Sequence, residues 1–244
     1  MTIWSKADIH VHTRYSDGHS SVAQVLEHAD HIGLRVIAIT DHDTIAGAIE
    51  AQRMARGFDV EVIVGEEVST ADGHLLVLFL ERALPPGRPA PETIAAAHEQ
   101  GALCIVAHPF DWLVPSFGAS LLRYCGGNNP AWTVDGVEVF NASLPLPGMN
   151  ERAASAATAL ELPACGGSDA HHFSTVGLGY TLFPGATADD LRQAICHGDV
   201  RAGGRSWAAG HYAAVASLRA RRGLARAARA VTQPMGFRSI GRSR

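Results

Sequence analysis

The stretch DIHVHTRYSDG at residues 8–18 alternates histidine with valine and sets an aspartate shortly after the second histidine. Side chains at i and i+2 of an extended segment face one side, so His10 and His12 present two imidazoles together. Buried side by side, they need a partner. A divalent cation supplies it, and neutral imidazole mixed with carboxylate suits Zn, Mn or Fe better than Ca or Mg alone. Residues of the same kinds follow other apolar runs: Asp41 and His42 in ITDHDT, Glu67 in GEEVST, His108 in AHP, and Asp169 and His171 in GGSDAHH. Each alone is an ordinary hydrogen-bonding residue; their recurrence at the ends of apolar runs suggests a site.

The elements that must position them are legible as alternating strands and helices. Apolar runs of strand length fall at 7–11, 35–40, 60–64, 75–80, 102–107, 136–140 and 163–166. Between them, SSVAQVLEHADHIG starts with serine caps, carries Val22, Val25, Leu26 and Ala29 on one face and stops at Gly33, which reads as an amphipathic helix. Similar helices are expected at 45–56, 91–100, 150–160 and 187–197. Strands separated by helices imply parallel βαβ units. About seven in this length suit a closed or nearly closed (β/α) barrel, with an open doubly wound sheet as the other arrangement. In a barrel the C-terminal strand ends meet on one rim, which would gather these dispersed residues.

Composition bounds the rest. A chain of 244 residues, 47% hydrophobic, can bury one α/β domain. It has no apolar stretch of bilayer length and no signal-peptide pattern at its start, so a cytoplasmic protein is expected. Cys104, Cys125, Cys165 and Cys196 form no CxxC pair and read as free thiols. The formal charge of −4 averages two unlike parts: residues 1–200 hold all 24 acidic residues, and 201–244 hold ten arginines and no acid. The division expected is therefore a catalytic body at 1–200 and an Arg-rich tail at 201–244. In the tail, Arg219, Arg222, Arg226 and Arg229 form one helical stripe, suited to docking on the acidic body, to nucleic acid or to an anionic membrane surface. Residues 232–244 read as disordered.

Taken in order, HVHTRYSDG, ITDHDT, GEEVST, AHP and GGSDAHH resemble the motifs of the polymerase and histidinol phosphatase (PHP) superfamily of metal-dependent phosphoesterases. The resemblance covers nearly the whole body. It implies a distorted seven-stranded (β/α) barrel, TIM-like, holding two or three divalent ions of Mn, Fe or Zn. It further implies one metal on His10, His12, Glu67 and Asp169, a second on Glu67 and His108 with His74 as the remaining ligand, and a third on Asp17, His42 and His171. Asp41 and His172 are candidate acids for the leaving group, Asp41 also for orienting an imidazole, and Arg14 is a candidate for a non-reacting phosphate or carboxylate. Glu66, next to Glu67, should face the other way.

The activity implied is hydrolysis of a small phosphomonoester, a nucleotide or nucleoside bisphosphate among the candidates, by attack of a metal-bridging hydroxide. Exonuclease action on short RNA or DNA ends is an alternative, as is a non-catalytic structural or regulatory module. A third is a metal-dependent C–N hydrolase, which would have to manage without a bridging lysine, the single lysine being Lys6. The loop at 110–129 is the expected substrate lid.

Overall fold

The computed structural model describes residues 3–232 other than 128, 130 and 147, with backbone alone at 219 and 222–232. Nine strands form one sheet: β1 (Trp4–Asp8), β2 (Val36–Ile39), β3 (Glu61–Thr70), β4 (Gly73–Leu78), β5 (Leu103–Val106), β6 (Gly136–Asn141), β7 (Ala164–Gly167), β8 (Gly179–Pro184) and β9 (Arg201–Gly204). Their spatial order is β7-β6-β5-β4-β3-β2-β1-β8-β9. The helices are α1 (Val22–His31), α2 (Ala46–Met54), α3 (Ala90–His98), α4 (Ala119–Cys125), α5 (Met149–Ala159), α6 (Ala188–His197) and α7 (Ala209–Thr232). The sheet curls into a nearly closed barrel, in which Gly166 N donates to Thr181 Oγ1 across the β7–β8 seam. Glycine is needed at that seam: a Cβ on Gly166 would sit 2.6 Å from the Tyr180 carbonyl oxygen.

All seven expected strands are present, with two more. β8 pairs antiparallel with β1, and β9 with β8. β4 also runs antiparallel to both neighbours, where a parallel strand was expected. The reason is the connection: Ala71 and Asp72 are the only residues between β3 and β4, enough for a hairpin and far too few for a crossover. The reversal matters to the site. It brings His74, at the start of β4, opposite Ser69 near the end of β3, so His74 reaches the same rim as Glu67.

Alternation along the strands divides the core. Ala7, Val36, Ala38, Ile63, Leu76, Leu78 and Ile105 join Leu191, Ala194 and Ile195 of α6 in one cluster. The alternate residues Ile37, Ile39, Val62, Val64, Val77 and Val106 pack with α1, α2 and α3 in the other. α1 starts at a capping box, Ser21 with Gln24, and buries the expected Val22, Val25, Leu26 and Ala29. The 110–129 segment contains α4, which buries Leu122 and Cys125, where only a loop was expected.

The first compact unit ends at Trp207, so β9 lies within it. Trp207 is anchored there by its indole N–H on the Ser168 carbonyl and its backbone N–H on the Ala142 carbonyl. The second unit carries α7, a continuous helix through Gly223. The side chains of the Arg219, Arg222, Arg226 and Arg229 stripe, and the 233–244 part of the segment read as disordered, lie outside the described residues.

Candidate metal centre

β1 ends at Asp8, so His10 and His12 follow the first strand and do not close it as expected. They still share a face, because extended pairing continues: Val11 bridges Ala170, and Thr40 N donates to the Val11 carbonyl. Their rings lie 5.1 Å apart and both side chains are buried. Asp8 itself is buried and accepts from the backbone N–H groups of His10, Ser168 and Gly177, tying this segment to the one after β7. Burial pushes its pKa up to about 6 against the pull of those hydrogen bonds.

The structure brings all nine expected ligands together in four overlapping groups, each with its donor atoms within 4.8 Å of one another. Glu67 lies at the centre. Its Oε1 is 2.8 Å from His74 Nδ1 and 3.0 Å from His108 Nε2. Its Oε2 is 3.1 Å from His12 Nε2, 3.2 Å from His10 Nε2 and 3.4 Å from His42 Nδ1. Asp169 Oδ1 lies 3.3 Å from His12 Nε2 and 3.6 Å from His10 Nε2. On the outer side, His171 Nε2 is 3.0 Å from Asp17 Oδ2, and His42 Nε2 is 4.0 Å from Asp17 Oδ1. His12 also falls within the Asp17, His42 and His171 group, although the resemblance assigned it only to the inner set.

The donor set passes a test for divalent metal. His12 Nε2 and His74 Nδ1 are buried and lie 3.1 and 2.8 Å from Glu67 oxygens, yet neither makes a hydrogen bond of acceptable geometry. Buried polar atoms are ordinarily satisfied, and nitrogens that converge on oxygen without hydrogen-bond alignment are disposed to coordinate an ion between them. The electrostatics agree. Burial opposes charge at Glu67 and Asp169, but the surrounding histidines hold both carboxyls well below the usual range. Burial lowers the His12 pKa, and the carboxylate oxygens of Asp169 and Glu67 beside its ring outweigh that and raise it to about 10. The carboxylates thus attract positive charge into a dry pocket, which a cation would supply. His108 (φ 25°) and Asp169 (φ 50°) both have left-handed backbones, unusual for residues other than glycine and found where a site over-determines its geometry.

The remaining expected residues sit apart from this convergence. Asp41 accepts from Thr13 N at 2.7 Å, Thr13 Oγ1 at 2.6 Å and Ser16 Oγ at 2.6 Å, so it secures the turn between His12 and Asp17 and not an imidazole. His172 is the N-cap of a short 3₁₀ turn, with Nδ1 2.9 Å from Ser174 Oγ and its ring against Phe173. Arg14 is exposed and donates from Nε to the His19 carbonyl. Glu66 faces away from the cluster, as expected, and accepts from Leu84 N at 2.9 Å. Burial raises its pKa to about 7.

Sequence reasoning missed the residues that hold the ligands from behind: Glu138 against His10 Nδ1 at 3.0 Å, Ser116 against His108 Nδ1 at 3.0 Å, and Ser143 donating to Asp169 Oδ2 at 2.7 Å. Glu138 lies within the run 136–140, read only as a strand of the barrel, and Ser143 lies three residues beyond it.

Residues 8–123 match the family model described as PHP domain, and residues 147–200 the one described as PHP-associated, together more than half of the chain. An uncharacterized protein of Methanocaldococcus jannaschii is 36% identical over 148 residues, which is 56% of this chain and 82% of that protein. The chain belongs to the PHP family. Its match to the phosphoribosyl 1,2-cyclic phosphate 1,2-diphosphodiesterase of Eggerthella lenta is 39% identity over 84 residues, 32% of each protein. Among solved structures, the PHP fold is shared with a two-domain protein from Bacteroides vulgatus containing a predicted PHP-like metal-dependent phosphoesterase, at TM-score 0.69 and 20% identity over 84% of this chain and 66% of that one. The PHP chain thus spans a third of one of these relatives and two thirds of another. Among its described residues, no helix is long and apolar enough to cross a membrane.

Proposed function

We propose that the protein is a metal-dependent hydrolase of phosphomonoesters, with two or three divalent ions held by His10, His12, Asp17, His42, Glu67, His74, His108, Asp169 and His171. The observation that carries this reading is the convergence of five imidazoles on the two oxygens of buried Glu67. The imidazole and carboxylate donors suit Mn, Fe or Zn. Such ions, when bound, lower the pKa of a water and offset the charge of a phosphoryl group.

The protein's own residues do the remaining work. Glu67 and Asp169 keep negative charge at the floor, while the histidines around them exclude solvent. The pocket opens toward Asp17, whose side chain is 43% exposed, and His42, at 28%, against 1% or less for His10 and Glu67. Substrate therefore enters past Asp17 and His42. Exposure of Arg14, on the turn that carries Asp17, supports a role for it in meeting a second anionic group of a nucleotide or nucleoside bisphosphate. Asp41 is engaged by Thr13 and Ser16, and we assign the leaving group's proton to solvent at the open end.

A diester or nucleic-acid end is the second reading, favoured by the name of the Eggerthella lenta relative. Phosphate release from phosphomonoesters, and new monoester ends on dinucleotides, cyclic phosphates and short RNA, measured with added manganese, test both. Turnover of monoesters supports the first reading, and turnover of diesters alone replaces it with the second. No turnover of any, with stability lost in His10→Ala, makes the protein a structural module.

A further inference from the structure

Glu138 is a fully buried carboxyl on β6 with, among the described residues, no lysine or arginine paired to it, and three N–H groups at the metal centre end on its two oxygens. Oε1 meets His10 Nδ1 at 3.0 Å. Oε2 accepts from the backbone N–H of His108 at 2.8 Å and from Asn141 Nδ2 at 3.0 Å. The amide of Asn141 is oriented by its own oxygen, which accepts from Ser143 N at 2.8 Å. Its Nδ2 therefore also reaches Asp169 Oδ2 at 3.3 Å, where Ser143 Oγ donates at 2.7 Å.

Each of these contacts occupies the side of a ligand that faces away from the cluster. A carboxylate only accepts, so His10 carries a proton on Nδ1 and turns Nε2 toward Glu67 and Asp169. With Oδ2 of Asp169 held from outside, Oδ1 is the oxygen left beside His12. The backbone of His108, in its left-handed conformation, is pinned by the same Glu138 oxygen.

The arrangement depends on an irregularity of the sheet. In a regular strand Glu138 and Asn141, three apart, would face opposite sides. The register between β6 and β7 shifts between Glu138 and Phe140, so that one extra residue is accommodated and both side chains turn the same way. Gly167 leaves the room: a Cβ there would lie 2.6 Å from both Glu138 Oε1 and His10 Cβ.

We infer that Glu138, seconded by Asn141 and Ser143, is the positioning residue of the metal centre, because one buried carboxylate fixes the inward faces of His10, His108 and Asp169 together. The inference rests on the metal reading proposed above. It also explains why an amide would not substitute. Three donors converge on Glu138, and the NH₂ of a glutamine would have to face one of them.

The test uses the full chain, stripped with a chelator and titrated with Zn²⁺ or Mn²⁺ by calorimetry and with Co²⁺ by visible spectroscopy, alongside metal-free thermal melts. Glu138→Gln is expected to weaken metal binding about 10–100-fold and to change the cobalt spectrum, the scale seen when groups orienting ligands are removed. Ser143→Ala, which takes one donor from Asp169 Oδ2, should weaken binding in the same direction by less. If both variants bind metal with wild-type affinity and spectrum while only their melting temperatures fall, Glu138 is a structural buttress and the inference is wrong. If Glu138→Gln does not fold, Ser143→Ala decides alone: wild-type binding there overturns the inference. A wild-type chain that binds no divalent ion defeats the metal reading itself, a result distinct from the others.

Discussion

Both ends of the barrel gather histidine with carboxylate, and they do it differently. At the N-terminal end, His98 at the close of α3, Cys104 in β5 and Asp135 just before β6 place ligand-type atoms within 4.8 Å of one another. There the polar atoms are already used. His98 Nε2 lies 2.9 Å from Asp135 Oδ2, and Cys104 N donates to the same oxygen at 2.7 Å, while burial pushes the Cys104 thiol well up. The group ties a helix end to two strands. At the C-terminal end the nitrogens of His12 and His74 meet oxygen at contact distance without hydrogen-bond geometry. Nearness of ligand types is common to both; what distinguishes a metal centre is lone pairs that have converged and found no proton.

The comparison can be broken most directly by activity. Glu67→Gln should lower phosphate release by at least about 10²–10³-fold, the scale of one lost electrostatic contact at a reacting centre, whereas His98→Ala should leave it nearly unchanged. An equal loss in both would erase the distinction. Next in size is the thermal shift on metal addition. An ion that binds the folded chain alone stabilises it by about 2.7 kcal/mol at a hundredfold excess over its Kd, so adding metal to the stripped protein should raise Tm in wild type and His98→Ala and do so much less in His12→Ala. A missing shift in His98→Ala would show that the N-terminal group also holds an ion.

His98→Ala should have a stability cost of its own, about 1–3 kcal/mol, from the lost bond to Asp135, read by denaturant unfolding of the metal-free chain. A cost that appears only with metal present would reverse the assignment. The smallest effect is in thiol labelling. Cys196 is exposed, while Cys104, Cys125 and Cys165 are buried, with burial pushing Cys125 up to about 11 and Cys165 to about 12. A thiol reagent should therefore modify Cys196 alone in the native protein, with or without chelator. Cys104 becoming reactive on chelation would mark it as a metal ligand.

The ligand motifs were legible because each follows a short apolar run, and strand ends in a barrel share a rim. His10, His12, His42, Glu67, His108, Asp169 and His171 could be assigned to one place from that rule and the PHP motifs, before any distance was known. β8 and β9 were harder. Their segments GYTLFP and RAGG lack a sustained apolar alternation, and their partners, β1 and each other, are set by chain return and not by local composition. Glu138 was invisible for a related reason. A period of two groups it with Phe140, and only the shifted β6–β7 register turns it toward Asn141 and the centre.

The amino-acid sequence by itself determined which residue types occupy the rim, the family they belong to and the alternation of strands and helices that brings them there, since these follow from periodicity and motif order along the chain. Tertiary structure alone decided that β4 runs antiparallel and so delivers His74, that Asp41 bonds the turn at Thr13 and Ser16, and that Glu138 stands behind His10, His108 and Asp169. Those outcomes depend on register and on which donor reaches which oxygen, and both are settled by partners far away in sequence.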